Sequence, residues 1–469
     1  MATTLADPPE QARVGQLSRG AMIAWGIGTL GPVTVLTATN ALLLRFLTDH
    51  YGLAAGLAAS LIALSKFYDA FADVAMGLVS DRTRSRWGRR RPYLIGGAVL
   101  LAISLLALFA PPAFASGNAR IVYMALVLMF YATAYTVFNV PYMAMPGEMT
   151  RTYHERTELM RWRVYAVGLA IIIASALGPK LLQYFGGDEA AYAKMALVFV
   201  PVVIAAGVVA FYGTANTPST QRVETNHSFG EQLRSAAGNR PFIVLIAVKF
   251  ITLMSLGVQS IFPFFFQRIL AVPDGVLGTY FLCQSSMFLI APSLWLWCSK
   301  RYGKNATFMG ALALSLPVWL SWMIAVQGEP LWLVYLRGVV IGISGSGVIL
   351  MGQSMLPDTM EFDFQRTGLR REGIFAALYT TVEKLSGALG VALVGALLGA
   401  YGYVQSRGGA VDQPASALLA IRFSMAMVPA VITLAGMAAL AFYHLDERTL
   451  QQDQGAAGAV GSGAMDSET

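Results

Sequence analysis

Charge is scarce in this sequence: Asp, Glu, Lys and Arg together make up 13% of its 469 residues, about half the share of a soluble domain. Cysteine is nearly absent, and its two copies, Cys283 and Cys298, both fall in apolar segments, so no disulfide framework is encoded. The four histidines, at 50, 154, 227 and 444, are scattered and leave no metal-ligand spacing. No G-x-x-x-x-G-K-[ST] occurs, and "RYGKN" (301–305) lacks both the upstream glycine and the final hydroxyl. Without a phosphate cradle, energy from ATP is excluded for this chain alone. Glu, His and Ser form no nucleophile or metal constellation, which argues against a membrane enzyme. The first 18 residues lack an apolar stretch and a cleavage site, so a retained cytoplasmic tail is expected rather than a signal peptide.

What is abundant is apolar sequence. Hydrophobic residues make up 56% of the chain and its mean hydropathy is +0.58. Runs of about 20 apolar residues, each able to cross about 30 Å of hydrocarbon as a helix, recur along the whole length. Twelve are predicted, roughly over 20–45, 54–79, 93–112, 120–143, 161–183, 192–213, 240–267, 275–298, 305–326, 329–355, 373–400 and 417–443. The expectation is an all-α membrane protein of twelve transmembrane helices in two six-helix halves. A cytoplasmic tail (1–19) leads into a first bundle (20–213), a polar cytoplasmic loop (214–239), a second bundle (240–443) and a disordered Gly/Ala/Ser-rich tail (444–469).

The formal net charge of +7 could suggest nucleic acid, but the basic residues concentrate in loops that an even helix count places beside the N-terminus. That pattern reports topology in a plasma (inner) membrane with both termini cytoplasmic. The expected surroundings are therefore a lipid bilayer and no nucleic acid, with the chain monomeric. The tract "RTRSRWGRRR" (82–91) could also touch anionic lipid.

The two halves echo one another. Between the fourth and fifth helices stand Pro146 and Met149, then "RTEL" (156–159); between the tenth and eleventh stand Pro357 and Met360, then "RTGL" (366–369). "SDRTRSRWGRRR" (80–91) has a weaker echo in "SKRYGK" (299–304). Parallel repeats of this kind place a solute pathway between the halves, near the membrane midplane.

Against this apolar background, "KFYDAFADVAMG" (66–77) stands out. Asp69 and Asp73 are four apart and share a helical stripe, with Lys66 one turn earlier and Gly77 one turn later, where it would admit a neighbouring helix. A carboxylate at the bilayer centre costs about 2.5–3.5 kcal/mol, so the stripe must face protein or water. Two carboxylates together form a site for a proton or a metal cation. The plainer alternative pairs Asp69 with Lys66 and has Asp73 cap a neighbouring element. Arg45, Arg337 and Arg422 lie toward outer helix ends and are expected to snorkel. Lys384, within "TTVEKLSGALG" (380–390), sits among small residues that allow close packing and could be the positive counterpart that senses the aspartates.

These residues resemble a known family. "YDAFADVAMGLVSDRTRSRWGRRRPYLIGG" (68–97) is similar to the second helix and following loop of the glycoside-pentoside-hexuronide:cation symporters, a branch of the major facilitator superfamily that includes the melibiose permease. The likeness continues through "YTVFNVPYMAM" (135–145), "RTELMRWRVYAVG" (156–168) and "DTMEFDFQRTGLRREGIFAALYTTVEKLSG" (358–387). The resemblance implies a cation site at Asp69, Asp73 and Thr136, and substrate contacts at Asn139, Arg163 (at the start of the fifth helix) and Lys384. Independently of the resemblance, the basic loops 80–92 and 299–304 are expected to hold the cytoplasmic side shut by pairing with acids and helix ends, with Asp81, Arg82, Gly88, Arg89 and Arg90 as the gating residues.

No cofactor is expected beyond the coupling ion, H+ or Na+, and no metal beyond Na+ at Asp69 and Asp73. The melibiose permease has Asn where this chain has Ala72. One oxygen ligand is lost, which favours a proton while leaving sodium open. The first helix, "GPVTVLTATN" (31–40), has no acid, and Asn139 stands where the galactoside-binding relatives carry one. The resemblance implies import of a sugar, glycoside or uronide coupled to a cation. The alternatives are amphipathic solutes such as lysolipids or steroid-like compounds, which "NVPYMAM" and "SMLPD" (354–358) would also suit, and, from another class, a channel or receptor.

Overall fold

A computed structural model describes residues 17–53, 55–112, 116–150, 152–186, 188–217, 236–368, 371–403 and 413–445. The tail before residue 17, the tail after residue 445 and positions 218–235 of the central loop lie outside the described residues. Twelve helical segments follow in order: α1 (Arg19–Leu43), α2 (Ala55–Arg82), α3 (Pro92–Phe109), α4 (Gly117–Met149), α5 (Tyr153–Tyr184), α6 (Glu189–Gly213), α7 (Arg240–Leu270), α8 (Gly275–Ile290 with Pro292–Tyr302), α9 (Lys304–Ile324), α10 (Leu331–Thr367), α11 (Glu372–Ala400) and α12 (Ala415–Leu440). Ten are long and apolar enough to span a membrane as they stand. The two parts of α8 do so as a bent pair, with a 49° change of direction where Pro292 cannot donate to the preceding turn. The remaining helix, α2, has its apolar run interrupted by Lys66, Asp69 and Asp73.

Polar caps start several helices. The Ser116 side chain accepts from Ala119 N at α4, Thr152 from Glu155 N at α5, Asp188 from Ala191 N at α6, and Asn239 from Phe242 N at α7. The helices overrun the predicted spans at one end of the bundle. α4 continues to Met149, α5 already begins at Tyr153 and α10 runs to Thr367. Hydropathy marks only the turns that lie in hydrocarbon, whereas a capped helix continues into water. Pro146 and Pro357, read as loop markers, are therefore buried inside α4 and α10. The echo between the halves is also offset. Arg156 lies in the first turn of α5, while Arg366 lies in the last turn of α10, because α10 continues past Met360 and α4 stops at Met149.

The halves meet along two symmetry-related pairs, α2 against α11 and α5 against α8, with α4 on α11 and α5 on α10 beside them. Gly77 allows the first of these approaches: a Cβ there would sit 2.7 Å from the Gly373 carbonyl and 3.0 Å from Ala377. Arg337 departs from the expected snorkelling. It is buried, pairs with Glu329 at 2.5 Å and stacks over Trp322, because an internal acid and ring satisfy it better than a reach to the surface. Arg422 donates inward to the carbonyls of Met323 and Ala325.

Candidate functional site

The α2 stripe brings Asp69 and Asp73 to the junction of α2, α4 and α11. The Thr136 hydroxyl of α4 lies 2.9 Å from Asp69 Oδ1 and 2.5 Å from Asp73 Oδ1, and its single hydrogen serves one of them at a time. From the other half, Lys384 Nζ lies 2.6 Å from Asp69 Oδ2 and 2.8 Å from Asp73 Oδ2, and 5.6 Å from the centre of the Tyr135 ring. Asp69 thus pairs with Lys384 rather than Lys66. Asp73 is completely buried, and the Lys384 side chain is 15% exposed. One ammonium contacts both carboxylates, and Lys66 lines the cavity beside them.

Thr380, which the sequence reading passed over, lies 3.1 Å from Asp73 Oδ2. It is four residues before Lys384 and so shares its face of α11. Asp69, Asp73, Thr136 and Thr380 together make an all-oxygen set of the type hard cations take.

Beside this group lies a cavity of about 410 Å³ lined by Lys66, Asp69, Tyr131, Tyr135, Asn139, Glu383 and Lys384, with Leu36, Ala388 and Val391 as apolar wall. Along α2 and α11 it extends from the aspartates away from the end that carries residues 82 and 372. Asn139 is part of this wall. Arg163 is elsewhere: it lies in the third turn of α5 rather than at its start, and donates from Nη1 to Gln353 Oε1 of α10 at 2.5 Å.

The opposite end of the bundle is closed by ionic networks. Arg90 donates from Nε to Glu148 (2.6 Å), from Nη1 to Ser80 (2.8 Å) and from Nη2 to Asp81 (2.6 Å). Arg89 bridges Glu148 at 2.6 Å and Glu372 of the other half at 2.9 Å. Asp81 also accepts from Gly373 N at 3.0 Å, a carboxylate at the start of α11. Burial works against the charge of both arginines, yet Glu148 and the neighbouring acids raise them above the usual arginine range. Of the five predicted gating residues, Asp81, Arg89 and Arg90 meet here. Gly88 turns the loop at φ 91°, and Arg82 is exposed.

A second network joins the halves in the same sense, an arginine of the first half meeting acids of the second. Arg156 of α5 pairs with Asp358 at 2.9 Å and Glu361 at 3.4 Å, while Lys304 reaches Asp358 at 2.5 Å. Sequence reading assigned no role to Glu148, Glu372, Arg156 or Asp358. The available signal was an ionisable group close to a proline within a helix, or in the first turn after a cap.

The chain matches the family model described as MFS/sugar transport protein over residues 24–447. It is 28% identical to the putative glycoside/cation symporter YagG of Escherichia coli (strain K12), covering 93% of this chain and 94% of that protein. It is 27% identical to the glucuronide carrier protein homolog of the same organism, over 93% and 95%. Among solved structures, the transporter FucP in its outward conformation superposes with a TM-score of 0.65 at 13% identity, covering 91% of this chain and 99% of FucP, a likeness of fold. The chain belongs to the MFS/sugar transport protein family, the glycoside-pentoside-hexuronide:cation symporter branch of the major facilitator superfamily that its motifs resemble, and is a multi-pass membrane transporter rather than an enzyme.

Proposed function

We propose that this chain is a cation-coupled secondary active symporter of the inner membrane that imports a sugar, glycoside or uronide by alternating access. The observation that carries the reading is the position of Lys384 Nζ, 2.6 and 2.8 Å from Asp69 and Asp73 and contributed by the other half. A resident ammonium holds the place of the coupling ion. When a proton or sodium binds among Asp69, Asp73, Thr136 and Thr380, Lys384 is released toward the cavity, where with Asn139 it meets the substrate.

The loaded carrier no longer needs the α2 to α11 ion pair, and the halves rock. Arg163 couples this motion across the halves through Gln353. With the basic end cytoplasmic, Asp81, Arg89 and Arg90 hold that side shut while the cavity faces outward; Gly88 shapes their loop and Arg82 lies on its exposed side. Relatives named for glycosides and glucuronides support the substrate class. The apolar wall of Leu36, Ala388 and Val391 favours a second reading, amphipathic solutes such as lysolipids or steroid-like compounds.

Uptake by proteoliposomes under imposed proton or sodium gradients, against labelled glycosides, uronides and lysolipids, tests both readings. Uphill glycoside or uronide uptake driven by one gradient is expected. Uptake confined to amphiphiles would select the second reading, and flux indifferent to every cation gradient would sink the symport mechanism.

A further inference from the structure

Lys249 and Glu383 belong to neither the aspartate site nor the networks at the basic end. Lys249, on α7, is buried, and its Nζ lies 2.8 Å from Glu383 Oε2, 2.9 Å from the Tyr379 carbonyl and 3.1 Å from the centre of the Tyr379 ring. A carboxylate, a carbonyl and a ring face occupy its three hydrogens, so the ammonium is satisfied within the protein. Glu383, one residue before Lys384, is placed differently. Half of its side-chain surface is exposed, and it lines the cavity of about 410 Å³. It also borders a smaller recess of about 60 Å³ shared with Lys249, Tyr379 and Gln353. A carboxylate serving only to neutralise Lys249 would be buried along with it. This one keeps acceptor capacity turned to the space where a solute would lie.

We propose that Glu383, held in place by Lys249, is a ligand-recognition carboxylate that accepts hydrogen bonds from adjacent hydroxyls of a neutral polyhydroxylated ligand and disfavours ligands presenting an anion there. The proposal rests on the sugar reading above and narrows it from glycosides and uronides to neutral glycosides. Two hydroxyls of a sugar ring match the paired oxygens of a carboxylate, and such bonds are charge-assisted. A site built to bond hydroxyls rejects ligands that lack them, since its own polar groups are then left unpaired. An anion set directly against Glu383 would meet like charge there, while Lys66 and Lys384 line other parts of the same cavity.

The test is competition uptake in proteoliposomes with methyl glucoside, methyl xyloside and methyl glucuronide. Wild type is expected to prefer a neutral glycoside. Glu383→Gln should weaken its affinity by about tenfold or more and raise methyl glucuronide affinity, with the cation activation profile little changed. The charge-reversed pair K249E/E383K keeps opposite charges adjacent and should invert the preference toward methyl glucuronide, which keeps the question decidable if the single variant fails to fold. A wild type that takes up no glycoside of either kind overturns the sugar reading and this proposal with it. A transporting wild type whose preference is unmoved by E383Q, or by the reversed pair, overturns this proposal alone.

Discussion

Around Asp69 and Asp73 a single lysine faces two carboxylates; at the basic end, two arginines face Asp81, Glu148 and Glu372. Both groups join α2 or its loop to α11, yet they are built differently. Arg90 is 1% exposed and has all three guanidinium nitrogens bonded, to Glu148, Ser80 and Asp81. Lys384 stands at the edge of a cavity with one ammonium shared by two acids. A guanidinium is a rigid fork that fixes its partners, whereas an ammonium is a compact charge on a flexible stem. A junction that must hold closed suits the first; a position that a proton or sodium must take over suits the second.

The comparison breaks most completely at Asp73. Asp73→Asn should still insert and fold, yet uphill accumulation should fall on the order of 100-fold, because an amide neither exchanges a proton nor offers two anionic oxygens. Concentrative uptake at the wild-type level would remove the carboxylate pair from the mechanism. At the other junction the effect is on stability. Arg90→Ala strands Asp81 and leaves Glu148 to Arg89 alone, costing about 3–5 kcal/mol, seen as a lowered melting temperature in detergent. Arg90→Lys, with one branch in place of a fork, should recover only part of it.

Exchanging the two chemistries sharpens the contrast. Lys384→Arg retains the charge but can grip both carboxylates at once, so the protein should stay as stable as wild type while turnover drops about tenfold. Wild-type turnover would show that the mobility of the ammonium is immaterial. The smallest expected change is at Ala72: Ala72→Asn restores an oxygen near the pair, and a sodium stimulation of about two- to fivefold should emerge, measured as uptake with and without sodium. An unaltered ion dependence would detach Ala72 from ion choice.

Much of this site was legible before any coordinates. Asp69 and Asp73 are costly in an apolar helix, their spacing of four gives one face, and the same argument of cost singled out Lys384. Other residues left weaker traces. Thr380 and Glu383 lie within the quoted run 380–390, but a hydroxyl and a carboxylate next to a lysine say nothing about which faces Asp73 and which faces Lys249. Arg163 was read at a helix start because hydropathy located only the apolar part of α5; the capped turns from Tyr153 bury it deeper and turn it to Gln353.

The sequence by itself determined the succession of apolar helices and the presence of charge within an apolar helix, since burial of apolar area and the cost of buried charge act on each segment alone. Tertiary structure decided which charges meet. Lys384 is more than three hundred residues from Asp69, and Glu372 and Arg89 are almost as far apart. Their contacts depend on α11 packing on α2 through Gly77 and Gly373, an approach set by how two helices from different halves fit together. Electrostatic attraction falls within a few ångströms and depends on the surrounding dielectric. The pairing was therefore settled where the halves meet, and not along the chain.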